Sequence, residues 1–176
     1  MSQLFPDTVV GSNAADGTVC IRTANASDVE GLSIYFTGLS TTTRNKRFMG
    51  ARADVAVLAA ECVAKVSHPD HFTLLAELRL EEGQSTIIGE TRYAYDAAAR
   101  HGDFAISVAD VFQRQGIGLQ MMNAMERHAS HLGHEMIAAE TTRANTEMRG
   151  LARKAGFEDT GLGDWQSVHF AKRLSR

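Results

Sequence analysis

The stretch Val108-Ala109-Asp110-Val111-Phe112-Gln113-Arg114-Gln115-Gly116-Ile117-Gly118 narrows the choice of fold more than any other in this chain. A strand-like run, Asp103 to Asp110, ends there, two glycines follow within three residues, and a helical period begins. Such a turn presents unpaired backbone N–H groups at the positive end of a helix dipole, and glycine lets the backbone approach an anion closely. Phosphate binding at this turn is the chemistry the arrangement suits. The bland alternative is that the glycines only punctuate the helix start, and spacing alone leaves both readings open. A Walker loop is excluded, because Gly118 is followed by Leu119-Gln120 rather than Lys and Ser or Thr. A dinucleotide fingerprint is disfavoured too, since it needs three spaced glycines near the first strand.

The elements around this stretch define a topology. Asp103–Asp110, a helix from about Gly116 to Leu132, and a strand over Glu135–Thr141 form one βαβ crossover, so the two strands should be parallel. Met121, Met122, Met125, Ala129 and Leu132 mark the inward face of that helix, and Gly133 its stop. Upstream, Phe72–Leu80 and Thr86–Tyr95 lead by short turns into Asp103–Asp110, which reads as an antiparallel meander. Three helices precede them. The first opens at a capping box, Ser27 to Glu30, and carries Val29, Leu32, Phe36 and Leu39; the others cover Thr42–Met49 and the run from Asp54 through Val55, Leu58, Cys62 and Val66. Thr18–Thr23 alternates like a strand. Asn145 caps a last helix that ends at Gly156, and Phe157–Gly161 and Trp165–Leu174 read as closing strands. Residues 1–17 show no sustained period and are expected to form a flexible N-terminal arm, leaving one domain over 18–176. The predicted class is α/β (α+β), a mixed central sheet of about seven strands flanked by helices.

Composition sets the outer limits. Apolar residues make up 44% of the chain, enough for a sizeable core. The net charge of −3 is spread along the sequence, which argues against a nucleic-acid binder. No apolar run approaches the ~18 residues of a membrane helix, and Met1–Val10 lacks the basic start and apolar core of a signal peptide. A cytoplasmic protein with Cys20 and Cys62 as reduced core thiols is expected. His128, His131 and His134 recur at a helix end, but as a metal site they lack a fourth ligand; a solvated face and no metal are expected.

Gln113-x-x-Gly116-x-Gly118 after this strand resembles motif A of the GNAT acetyltransferase superfamily, whose form is Gln/Arg-x-x-Gly-x-Gly/Ala. Asn145 to Phe157 resembles the same family's motif B helix, which opens with Asn and closes on Gly-Phe. The gap between the two fits one helix and one strand, and the element order over 18–174 is that of the GNAT fold, so the resemblance spans nearly the whole chain. A narrower likeness joins Gly38-Leu39-Ser40 with Arg44–Met49, and Asp103 to Val108, to the GNAT domains of bacterial protein-lysine acetyltransferases, with Asp103 where glutamate is usual.

The resemblance implies an acetyl-CoA-dependent N-acetyltransferase acting on a primary amine by direct attack in a ternary complex. It places the pantetheine arm between strands 103–110 and 135–141. The pyrophosphate falls on the N–H groups of Gln113, Arg114, Gln115, Gly116, Ile117, Gly118 and Leu119, with charge added by Arg114. Asn145 would bond the donor near its pantetheine end, and the Val108 N–H would polarise the acetyl carbonyl. The general base is Asp103 or Glu90. Many GNAT enzymes carry a tyrosine acid where this chain has Ala152, which also admits a weakly catalytic acyl-CoA-binding module. Tyr93 and Tyr95 lie on a neighbouring strand and read as packing residues, and His101 as a turn residue. Partners are acetyl-CoA and an amine, with no nucleic acid and no membrane, in a monomer or homodimer.

Overall fold

The meander predicted between Phe72 and Asp110 lies at the centre of the protein, seen in a computed structural model that describes residues 8–14, 17–50, 54–65, 68, 70–80 and 83–174. The elements are β1 (Thr8–Ala14), β2 (Gly17–Thr23), α1 (Val29–Gly38), α2 (Thr41–Arg47), α3 (Val55–Ala64), β3 (His71–Leu80), β4 (Ser85–Asp96), β5 (His101–Val108), α4 (Ile117–His131), β6 (Met136–Thr142), α5 (Thr146–Lys154), β7 (Glu158–Asp159) and β8 (Ser167–Arg173). Eight strands form one sheet in the order β1-β2-β3-β4-β5-β6-β8-β7. Every neighbouring pair is antiparallel except β5 and β6, which are parallel as the crossover requires.

Alternation along the strands divides the molecule into two layers on the sheet. On one face Leu74, Ala76, Tyr93, Phe104, Ile137, Val168 and Phe170 pack against Met121, Met122 and Met125 of α4. Each of these methionines is fully buried, worth roughly 1.5–3 kcal/mol apiece from removal of apolar surface from water. On the other face Leu75 meets Leu32, Tyr35 and Phe36 of α1 and Ala59 and Cys62 of α3. Both cysteines are buried thiols, and burial pushes the Cys62 thiol up to about 12, so it stays a core thiol at neutral pH.

Several sequence expectations change. Thr8–Ala14, read as part of a loose arm, is an edge strand paired from Thr8↔Ile21 to Ala14↔Gly17. Its pairing runs through the backbone, which leaves no hydrophobic period to read. The first cap is Asn25 rather than Ser27. Asn25 and Asp28 form a capping box around a single 3-10 turn, Ala26–Asp28, and Asp28 also accepts both nitrogens of Arg22 at 2.9 and 2.8 Å. Leu132, expected inside, lies beyond the last turn of α4 and is exposed.

The expected solvated histidine face is also only partly solvated. His134 is buried, with Tyr95 stacked on its ring at 3.8 Å and the Tyr93 hydroxyl 3.0 Å from Nδ1, and His128 stacks on Phe72. Short-range period could not reveal this, because the strands that cover these rings come from elsewhere in the chain. His101 lies in β5 rather than in a turn, and Tyr93 is a packing residue, fully buried. No helix among the described residues is long and apolar enough to cross a membrane.

Candidate active site

The site begins where β5 and β6 part. They are paired only at Gly102↔Ile137 and Asp103↔Ala138, whereas β5 continues to Val108 and β6 to Thr142. Beyond Asp103 the sheet is therefore a fork. Its β5 edge is free in a specific sense. Ala109 N–H donates to Ile88 O at 2.8 Å, and Val108 is opposite Gly89 in the same register. Antiparallel pairing alternates the direction of backbone groups, so the N–H groups of Phe104, Ile106 and Val108 point away from β4 and into the fork. A bulge at Ile88, between the pairs Ala76↔Gly89 and Glu77↔Ile87, bends β4 behind this edge.

The glycine turn closes the wide end of the fork. Arg114 and Gly116 both have left-handed backbones, with φ of 61° and 84°. Gly116 caps α4 without any side chain to satisfy the first N–H groups of the helix. A Cβ on Gly116 would meet nothing nearer than Gln120 Nε2 at 3.7 Å, so its backbone faces open space. Gly118 is glycine for a different reason: a Cβ there would lie 3.2 Å from Leu151 Cδ2, where α4 packs on α5. Ile117 is buried and Leu119 half-buried, which roots the turn in the core, while Arg114 and Gln115 are exposed. Gln115 Nε2 donates to Val111 O at 3.0 Å. Gln113 Nε2 donates to Val108 O at 3.0 Å and to Thr43 Oγ1 at 3.2 Å, fixing the turn to β5 and to α2. A turn with open N–H groups, flanked by a free strand edge, fits a diphosphate joined to an amide-bearing arm.

Asn145 is buried at the start of α5. Its Oδ1 accepts from Met148 N at 3.2 Å and its Nδ2 donates to Thr141 Oγ1 at 3.1 Å. It caps the helix and holds it to β6. Ala152, at the position where many relatives carry tyrosine, is fully buried in the core.

The two candidate bases lie in opposite surroundings. Asp103 is exposed at the closed end of the fork, between Ala94 of β4 and Ala138 of β6, with His101 Nε2 at 3.5 Å. Glu90 is wholly buried on β4 opposite Ser107. Its Oε1 accepts from Arg47 Nε at 2.5 Å and from Ser107 Oγ at 3.0 Å, and its Oε2 from Arg47 Nη2 at 3.2 Å. The Tyr35 hydroxyl lies 2.9 Å from Ser107 Oγ, and burial followed by the Glu90 charge raises its pKa well above the usual phenol range. Arg47 is raised as well: burial opposes the charge, and Glu90 outweighs it.

Sequence reasoning did not single out Tyr35, Ser107 and Asp110. Asp110 accepts Ser40 Oγ and Thr43 Oγ1, both at 2.7 Å, and Ser40 N at 3.0 Å. Burial would raise its carboxyl, but the Ser40 and Thr43 donors hold it below the usual range. Ser40, Arg47 and Ser107 fall in the segments carrying the narrower resemblance; Tyr35 gave no signal, being an ordinary helix residue until packed against β5.

A parallel fork with a phosphate-type turn at its mouth defines a class of proteins that bind acyl-CoA across a split sheet. Residues 42–157 match the family model described as "Acetyltransferase (GNAT) family". The chain therefore belongs to the GNAT acetyltransferase family. Acetyltransferase PA5475 of Pseudomonas aeruginosa is 24% identical over 139 residues, covering 79% of this chain and 74% of that one. The GNAT domain of S. lividans PAT superposes with a TM-score of 0.80 at 22% identity, covering 96% of this chain and 97% of that one. The putative acetyltransferase yncA from Salmonella typhimurium, solved with its cofactor acetyl-CoA, has a TM-score of 0.71 at 16% identity, covering 90% and 95%.

Proposed function

We propose that this protein transfers an acetyl group from acetyl-CoA to a primary amine, on a protein lysine or a small molecule, by direct attack within a ternary complex. The observation that carries this is the fork: β5 leaves β6 after Asp103, and the open N–H turn lies at its mouth. The N–H groups of Gln113 to Leu119 would hold the diphosphate, with Arg114 adding charge from its exposed side chain. The pantetheine amides would pair with the free edge of β5, as an added strand does. Asn145 keeps α5 against β6 and so maintains the far wall.

A lysine-type amine has a pKa of about 10.4, so a proton must leave it before or during attack. Asp103 is suited to this role because it is open to solvent and can work through water. Strand geometry bears on which N–H polarises the thioester carbonyl. Val108 is five residues from Asp103, about 16 Å along the strand, too far for both to serve one reacting centre through a single water. Ile106 points the same way and is about 10 Å from Asp103, so it suits the carbonyl, with Val108 taking a pantetheine amide. The departing thiol, with a pKa near 8.5, needs little acid assistance.

Titration calorimetry with acetyl-CoA, paired with detection of released thiol in the presence of a lysine peptide or a polyamine, tests this reading. Micromolar binding with thiol release supports it. Binding without release from any amine supports instead the acyl-CoA-binding regulatory module, the reading favoured by the burial of Ala152 where a tyrosine acid is common. A folded protein that binds no acetyl-CoA overturns both.

A further inference from the structure

Helix α2 touches both sides of the fork. At its N-terminal end, Thr43 Oγ1 bonds Asp110 and receives Gln113 Nε2, both on the segment that follows β5. Near its C-terminal end, Lys46 Nζ lies 2.9 Å from Glu147 Oε2 on α5, the helix that follows β6. The next residue, Arg47, turns inward to Glu90, and both are shielded from water, with side-chain exposures of 8% and 0%. The helix is only seven residues long and buries none of them fully. Its place is therefore set by a few polar contacts rather than by an apolar face.

We infer that Glu90 is a positioning residue for the acetyl donor, which it serves by holding α2 through Arg47 across the mouth of the fork. A carboxylate that receives both nitrogens of one guanidinium and a serine hydroxyl is a fixed anion with its lone pairs directed at partners. It has no path to a solvent-borne amine, so its burial separates it from the role of Asp103. Ser107 and Tyr35 complete the arrangement by tying the same carboxylate to β5 and α1. This inference rests on reading the fork as the acetyl-donor site.

The test compares the full-length protein with its Glu90→Gln and Arg47→Lys variants and with a Glu90→Gln/Arg47→Gln double variant. Amide hydrogen exchange over residues 41–47 is measured without ligand, then acetyl-CoA affinity, then the pH profile of kcat. Glu90→Gln should speed exchange in α2 and weaken acetyl-CoA binding, each about tenfold, while the kcat profile keeps its shape. Arg47→Lys, which keeps the charge and loses the two-nitrogen geometry, should move both readouts the same way by less. The double variant should lose no more than the worse single one, because no buried charge is left unpaired. Unchanged α2 exchange in both single variants overturns the inference. So does loss of the acid limb of the kcat profile in Glu90→Gln, which would make Glu90 the base. If the unaltered protein binds no acetyl-CoA, the donor-site reading fails and the inference falls with it, even where faster α2 exchange shows that Glu90 anchors the helix.

Discussion

Ser40 and Asp110, seventy residues apart, are joined twice: Ser40 Oγ donates to Oδ1 at 2.7 Å and Ser40 N to Oδ2 at 3.0 Å. The contact fastens the turn before α2 to the segment between β5 and the glycine turn. Asp110→Ala removes the acceptor for Ser40 and Thr43 together. Because the group is exposed, the loss of stability should be about 1 kcal/mol. Acetyl-CoA affinity should fall more than that, since both α2 and Gln113 lose their register. Calorimetric titration beside thermal unfolding separates the two effects.

Gly116 and Gly118 should respond differently to substitution. Gly116→Ala forces a side chain into φ of 84°, at a cost of about 1–2 kcal/mol, with free space for the methyl itself. Gly116→Glu adds a negative charge at the mouth of the diphosphate site and should abolish acetyl-CoA binding in a protein that still folds. Gly118→Val drives its branches toward Leu151 and Val108 and should lower the melting temperature more than either change at Gly116. Circular dichroism melts and titration of the three proteins check the ranking.

Asp103→Asn should lower kcat about 10²- to 10⁴-fold, the range for loss of a general base, and leave acetyl-CoA affinity nearly untouched. Single-turnover thiol release at saturating donor reads this directly. A variant that keeps full turnover across the pH range would remove Asp103 from the mechanism.

Tyr93 lies over Gly102, where β5 and β6 are still paired. A Cβ there would be 2.0 Å from the Tyr93 hydroxyl, which is itself 3.0 Å from His134 Nδ1. Gly102→Ala should therefore displace a fully buried ring and lower stability by about 2–3 kcal/mol, read as a shift in the denaturant midpoint.

Stability should fall on mild acidification. Burial lowers the His128 imidazole from 6.5 to about 4, and burial also lowers His134 against the opposing charge of Asp70. Between those values the unfolded chain takes up protons that the folded protein excludes. Stability is then complete above about pH 6.5 and is lost as the pH falls toward about 4. Asp28 and Asp110, held below 3.8 in the folded state, lose their contributions only at lower pH. The melting temperature should decline between pH 7 and 4.5. His128→Phe, which keeps the stacking on Phe72 and removes the titration, should flatten that decline.

What the sequence determined by itself is local or periodic. The strand, glycine turn and helix of residues 103–131 are contiguous, so the turn itself and the parallel crossover were legible from spacing, and the methionines of α4 from their period. Asn145 as a cap and the meander were legible for the same reason. Only the tertiary structure decided which acid faces water. Asp103 and Glu90 look alike along the chain, but α2 brings Arg47 to Glu90 across 43 residues, while Asp103 remains between two alanines. The histidines of α4 and the edge strand β1 escaped for a related reason. A ring is buried by what the fold lays over it, and a backbone edge pairs without regard to side chains, so neither leaves a period in the sequence.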